Sequence, residues 1–413
     1  MGSGKAHGKA MPTSSVDCRR RSAASALCAL VLVGAATVPA RAESTREKQW
    51  FLDAMRVDEM WRASTGTGIT VAVVDTGVDA NNPDLTGRIL PGKDFAEGEP
   101  GDAHTDYEGH GTGMAGLIAG GGSGSGAYGL APGVKILPVR MPNAGTAANQ
   151  AEGNARFNRA ASQAIRYAAD QKARVINISM GSGRTEGSPQ LTAAVKYALE
   201  KGSLVFAAVG NAGNTSNEVE YPAATPGVIG VAAVGRDLRK TAESEYGPQV
   251  DLAAPGDEMV HACGGGTGLC ESHGTSDATA LASASAALIW SKHPTWTNNQ
   301  VLRVMLNTIG APTDGSKRND SIGYGIVRPR VALENPGDPG PADVYPLPDL
   351  TPSAAPPASS PAGAPAKAEA VQASGSGKQP TGAFIWGVGA VGALVVALGF
   401  WALRKRRQRV GAH

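Results

Sequence analysis

Through the middle of the chain, short apolar runs alternate with longer polar-apolar stretches. ITVAVVD (69–75), VKILPVR (134–140), RVINISMG (174–181), LVFAAVGN (204–211) and VIGVAAVG (228–235) are dominated by β-branched and small apolar residues. Such runs predict strands covered on both faces. Asn158 to Asp170 and Gln190 to Lys201 read as helices between them, and a small-residue helix runs from Ala278 to about Trp290. Strands in alternation with helices predict an α/β fold with a mainly parallel sheet. In such sheets sites form beyond the C-terminal ends of the strands, and Asp75 and Asn211 stand at two of those ends.

The ends of the chain follow other patterns. Arg19–Arg21 precede an uncharged apolar run from Ala23 to Val38, and Ala40-Arg41-Ala42 offers small residues at cleavage spacing. Residues 1–42 therefore read as a signal peptide. Phe384 to Leu403 holds no charge and no proline, with Trp386 and Trp401 near its edges and RKRRQR directly after it. At about 1.5 Å per residue this stretch is long enough for a transmembrane helix. The basic residues that follow it place the C-terminus in the cytoplasm and everything before the span outside. We assign 383–403 to this helix and 404–413 to a basic cytoplasmic tail. Residues 336–382, with 11 of the 27 prolines, read as an extended, semi-rigid linker. The remainder is one large body, 43–335.

Charge narrows the function. The whole chain carries +2, but the basic residues crowd the two ends, and between 43 and 403 stand 27 bases against 35 acids, a net of −8. A body this acidic is a poor match for nucleic acid. After signal removal only Cys263 and Cys270 remain. In an oxidising compartment they read as a disulfide. His261 and His273 flank the pair, so a metal site is the competing reading, although zinc sites usually show tighter Cys spacing.

Four residues carry candidate chemistry. Asp75 closes an apolar strand and is followed by Thr76-Gly77. His110 lies between glycines in GHGTGMAGLIAG. Ser276 lies in SHGTSDATALASASAALIW, where a helix begins, and Asn211 ends VFAAVGN. A serine at a helix start has an exposed hydroxyl and the free N–H groups of the first turn beside it. Singly, each has an ordinary explanation: a turn aspartate, a structural histidine, an N-cap, a turn asparagine. Their combination and order are what point to chemistry.

DTGVDANNPDL, GHGTGMAGLIAG, AAVGNAGN and GTSDATALASASAAL resemble the four signature blocks of the subtilisin-like serine proteases, in the same order, over about 66–333. With the signal, linker and anchor, the chain resembles the mycosins, membrane-anchored subtilases associated with type VII secretion. The resemblance implies a subtilisin-like three-layer α/β fold over 66–335 and serine endopeptidase activity without a cofactor. It also implies protein or peptide substrates and a type VII secretion membrane complex as partner. Ser276 becomes the nucleophile, His110 its base, Asp75 the group that holds the imidazole, and Asn211 an oxyanion donor. Ser179-Met180-Gly181 and Ala208-Val209-Gly210 correspond to the segments lining the family's substrate groove. The alternative implied by the same resemblance is a structural component of the secretion complex with proteolysis secondary. An esterase of the α/β-hydrolase type is excluded by the missing G-x-S-x-G elbow and the triad order.

Three features depart from the family. Asp277 follows Ser276 where an apolar residue is usual, and it is expected to raise the pKa of His110 if the two approach. Leu281 replaces the usual proline. The stretch GGGSGSGAYG (120–129) lacks the ligand-rich composition of the family's calcium loop, so no metal is expected there. The interval between Ala42 and Asp75 is also too short for a folded inhibitory prodomain. We expect 43–65, including Trp50, Phe51 and Trp61, to pack on the catalytic body instead.

Overall fold

A computed structural model describes residues 43–143, 146–183, 187–265 and 268–350. The chain enters through three short helices, α1 (Thr45–Lys48), α2 (Trp50–Ala54) and α3 (Val57–Ala63), and then forms β1 (Thr70–Asp75) and β2 (Lys93–Asp94). There follow α4 (His110–Ala119), β3 (Lys135–Arg140), α5 (Gln150–Asp170), β4 (Val175–Ile178), β5 (Ser182–Gly183), α6 (Pro189–Glu200) and β6 (Leu204–Ala208). The rest is β7 (Glu220–Tyr221), β8 (Ile229–Val234), β9 (Leu252–Pro255), β10 (Met259–Ala262), β11 (Leu269–Ser272), α7 (Thr275–Lys292), α8 (Asn298–Asn307) and α9 (Pro329–Glu334).

Seven strands make one sheet in the order β2-β3-β1-β4-β6-β8-β9, and every pairing in it is parallel. Alternate side chains divide between two cores. Val71, Val73, Val175, Leu204, Phe206, Ile229 and Val231 join the core on the side of α4, α7, α8 and α9. Ala72, Val74, Ile176, Ile178, Val205, Ala207 and Val234 join the core built with α5 and α6. This two-residue alternation of fully buried residues is why the strands read as continuous apolar runs. The order of connections matters for the site. After β1 the chain adds β3 on one side and then returns to add β4 on the other, so the sequence reverses direction beside Asp75. Crevices form at such reversals.

The helices begin and end for local reasons. α5 starts eight residues before the apolar pattern suggests, because Asn149 accepts from the Glu152 N–H at 2.9 Å and caps it. Thr297 and Gln300 form a reciprocal capping box at the start of α8. In α7 the residues from Thr275 to Trp290 are buried. A helix of alanine and serine can be buried on all sides because its small side chains let neighbouring elements approach closely.

Two segments outside the repeating pattern are bound to this body. Near the N-terminus, Phe51 and Leu52 are fully buried. Gln49 donates to the Tyr128 and Val260 carbonyls, Trp50 to the Asp257 carbonyl at 2.9 Å, and Trp61 to the Leu130 carbonyl at 2.9 Å. At the other end, residues 336–350, assigned above to the linker, lie along the body. Arg303 donates to the carbonyls of Pro339, Pro341 and Val344, Tyr345 donates to the Gly227 carbonyl, and Leu347 is buried. Proline-rich backbone keeps all its carbonyl acceptors, and one arginine fork collects three of them. The signal peptide, the rest of the linker, the span 383–403 and the tail lie outside the described residues. No helix among the described residues is long and apolar enough to cross a membrane.

Phe51→Ala removes a fully buried ring from this N-terminal contact. It is expected to cost about 3–5 kcal/mol, read as a lower denaturant midpoint. An unchanged midpoint would mean that residues 43–65 do not fold cooperatively with the body.

Candidate active site

β1, β4 and β6 are neighbours in the sheet, so their C-terminal ends deliver Asp75, Ser179 and the Ala208–Asn211 segment to one edge. Asp75 is fully buried. Its Oδ1 accepts from the Thr76 N–H at 2.8 Å and from His110 Nδ1 at 2.7 Å, while its Oδ2 has no partner among the described residues. An ionised carboxylate with one bare oxygen in a dry site favours any positive charge placed beside it.

His110 is the first residue of α4, and Asp106 sets that helix end. The Asp106 carboxylate accepts from the N–H groups of Gly109 and Thr112, both at 2.8 Å, and from the Thr76 and Thr112 hydroxyls at 2.7 and 2.6 Å. Thr76 in turn accepts from the Gly111 N–H at 2.9 Å. Gly111 itself packs on the end of β1 and the turn after it, since a Cβ there would lie 3.1 Å from Asp75 Cβ and 2.1 Å from the Gly77 carbonyl oxygen. The imidazole is therefore aimed by the backbone at both sides of it. Burial pulls its pKa down, but the Asp75 charge and hydrogen bond, with further contributions from Asp277 and Glu108, outweigh that and push it up to about 9.

Ser276 lies in the first turn of α7. Its hydroxyl donates to the Ser179 carbonyl at 2.9 Å. A hydroxyl has a single proton to give, so in this rotamer it is not given to His110. A change of χ1 to another staggered well redirects it. The helix end is locked to β4 by a buried polar chain. Ser283 donates to Asn177 Oδ1, the Asn177 amide donates to Ser179 Oγ, and Ser179 Oγ donates to the Ser276 carbonyl, at 3.0, 3.0 and 3.1 Å. This explains a polar Asn177 on a core-facing strand position.

Asn211 is exposed. Its Oδ1 accepts from the Thr275 N–H and hydroxyl at 2.9 and 3.1 Å, and its amide N–H groups have no acceptor among the described residues. The Ser276 N–H has no acceptor among the described residues. Asn211 is thus held to the first turn of α7 through Thr275, the residue before Ser276. Met180 is half-buried against the second core, and Ala208 and Val209 are buried, with Gly181 and Gly210 ending the two segments that face the serine.

Asp277 is almost fully buried. Burial raises its pKa against the pull of Ser272, His261 and His110. Its Oδ1 accepts from the Ser272 hydroxyl, which meets His261 Nε2 at 2.9 Å. The other ring nitrogen of His261 meets the Ala262 carbonyl at 2.8 Å, and His273 pairs with Glu243 at 3.3 Å. Both histidines of the competing metal reading are thus engaged elsewhere. Cys263 and Cys270 face each other across the β10–β11 hairpin with Cα atoms 5.1 Å apart, a spacing that a disulfide spans. In the 120–129 stretch, the N–H groups of Ser123 and Ala127 point at the Asp84 carboxylate, each at 2.8 Å.

The profile of the subtilase family matches residues 66–325. Thermitase of Thermoactinomyces vulgaris is 40% identical over 211 residues, 51% of this chain and 70% of that protein. Subtilisin BL of Lederbergia lenta is 34% identical over 271 residues, 66% of this chain and 93% of that protein. Among solved structures, MycP1 from Mycobacterium smegmatis superposes with a TM-score of 0.63 at 29% identity, covering 71% of this chain and 86% of the other. MycP3 protease from the type VII (ESX-3) secretion system gives 0.61 at 32% identity, covering 68% and 87%.

The Asp277 charge adds to that of Asp75 in holding the proton on His110. An NMR titration of the His110 ring should have its midpoint near pH 9 in the native chain. Asp277→Asn removes a negative neighbour, so the midpoint should fall; an unmoved midpoint would show that Asp277 has no electrostatic hold on the imidazole.

Proposed function

The chain belongs to the subtilase family and is a serine endopeptidase resembling the mycosins of type VII secretion, and from that premise we propose that Asp75, His110 and Ser276 are its catalytic triad. What carries this reading is the 2.7 Å bond between His110 Nδ1 and the buried Asp75 carboxylate; a serine in the first turn of α7 supports it. Once turned from the Ser179 carbonyl, the Ser276 hydroxyl gives its proton to His110 as Oγ attacks the scissile carbonyl. The imidazolium so formed is stabilised by Asp75 and then protonates the leaving amine. The Asn211 amide and the Ser276 N–H hold the oxyanion of the tetrahedral intermediate. Substrate backbone lies along Ser179-Met180-Gly181 as an added strand, with Ala208-Val209-Gly210 opposite.

Because His110 must be neutral to accept a proton, its raised pKa makes the enzyme alkaline in habit. Below about pH 9 the active fraction falls tenfold per pH unit.

The proposed setting is extracytoplasmic and membrane-anchored. Removal of residues 1–42, anchoring through 384–403 and a Cys263–Cys270 disulfide support that setting from sequence. The resemblance to mycosins supports a role in processing proteins exported by a type VII system.

A serine-directed organophosphonate is expected to label the full chain once, on Ser276, and to leave Ser276→Ala unlabelled. Asn211→Ala should lower kcat about 10²–10³-fold with little change in KM. Label on another residue, or none, would contradict the assignment.

A further inference from the structure

Both segments that flank Ser276 end on glycine, and behind each glycine lies a carboxylate. A Cβ at Gly181 would stand 2.4 Å from Glu220 Oε2, and one at Gly210 would stand 2.5 Å from Glu245 Cδ. The backbone places both acids. β5 pairs antiparallel with β7, setting Gly183 opposite Glu220. The Glu245 N–H donates to the Gly210 carbonyl at 3.0 Å, folding that residue beneath the turn.

Neither acid has a positive partner among the described residues. Glu245 is fully buried; its Oε1 takes a 3.3 Å bond from the Ala212 N–H, and its Oε2 is without a partner among the described residues. Glu220 is partly buried and makes no side-chain hydrogen bond or ion pair among the described residues. The neighbouring charges are used otherwise: Lys240 donates to the Thr241 and Ser244 carbonyls, and Glu243 pairs with His273. Burial, and next the Glu220 charge, raises Glu245 to about 7, and burial with the Glu218 charge raises Glu220. Negative charge confined in a partly dry pocket without a counter-ion is stabilised by a cation arriving from outside.

We propose that Glu220 and Glu245 make this a site for lysine or arginine at the substrate residue whose carbonyl is attacked. That residue's carbonyl sits between Ser276 and Asn211, so its side chain runs between the two glycine-ended segments. Glu220 meets the cation directly, and Glu245 adds its charge from beneath Gly210. A glycine at each end keeps the passage open, since any larger residue would collide with the carboxylates. The inference rests on the proteolytic reading of the same site.

The test uses the full chain and a peptide series in which only the residue before the cleaved bond varies among Lys, Arg, Leu and Glu. Wild type should favour Lys and Arg over Leu by at least about tenfold in kcat/KM, with Glu the poorest. Glu220→Gln should shrink the ratio of Lys to Leu, and Glu220→Lys should invert it toward Glu. A wild type that cleaves the Leu peptide as well as the Lys peptide overturns the specificity and leaves the protease reading standing. A Lys-to-Leu ratio left unchanged in Glu220→Gln overturns the assignment to Glu220. If no peptide is cut, the protease reading is what fails, and the affinity of Ser276→Ala for the same peptides reads the selectivity without chemistry. Equal affinity for Lys and Leu there overturns the proposal; tighter binding of Lys and Arg upholds it.

Discussion

A carboxylate held in the dry interior needs a positive or proton-bearing partner, and this requirement governs the site. Asp75 ends a strand in the middle of a parallel sheet, where water does not reach it. The His110 ring answers that need at 2.7 Å. The elements around the pair then have defined tasks. Asp106 and Thr76 fix the first turn of α4, so that the ring arrives at the correct angle. The Ser283–Asn177–Ser179 chain ties the first turn of α7, with Ser276, to the end of β4. The sheet supplies the common reference for both helices, because Asp75, Ser179 and Asn211 leave adjacent strands at the same edge.

The Ser276 hydroxyl donates to the Ser179 carbonyl, on the very segment proposed to pair with substrate backbone. An incoming strand competes for that carbonyl. Under the proposed mechanism, substrate binding and release of the hydroxyl toward His110 would be linked through this one carbonyl. The same segment ends at Gly181 over Glu220, so positioning, activation and the proposed charge selection meet within three residues.

The sheet and the four candidate residues were legible because each rests on a local signal: alternating burial in the strands, glycines around the histidine, a serine before a small-residue helix. The resemblance of the four sequence blocks to subtilases, confirmed by the family match over 66–325, reflects the same signals taken together. What was not legible depends on long-range placement. β9, reading LAAP, is too short and too poor in β-branched residues to stand out. The 336–350 segment looks like free linker by composition, because its attachment comes from Arg303 and Thr297 on α8 and its cap. Asp106 could have been noticed as an acid just before a helix start. Glu220 and Glu245 could not, since their relation to Gly181 and Gly210 exists only after β5 and β7 have paired and the 245 backbone has closed on 210. Adjacency to Ser276 makes an effect of Asp277 on His110 conditional on their approach; the Ser272 and His261 contacts behind Asp277 depend on the β10–β11 hairpin and are not legible in sequence.

In the proposed mechanism the His110 imidazole must lose its proton to work, while the buried Asp75 carboxylate resists that loss. The most direct measurement is kcat/KM of the native full chain as a function of pH on one peptide. The account predicts a rise of about one decade per pH unit to a limb near 9 and a plateau beyond it. A profile already flat from pH 6 upward would contradict it, because the group in control would then not be an imidazole held by Asp75.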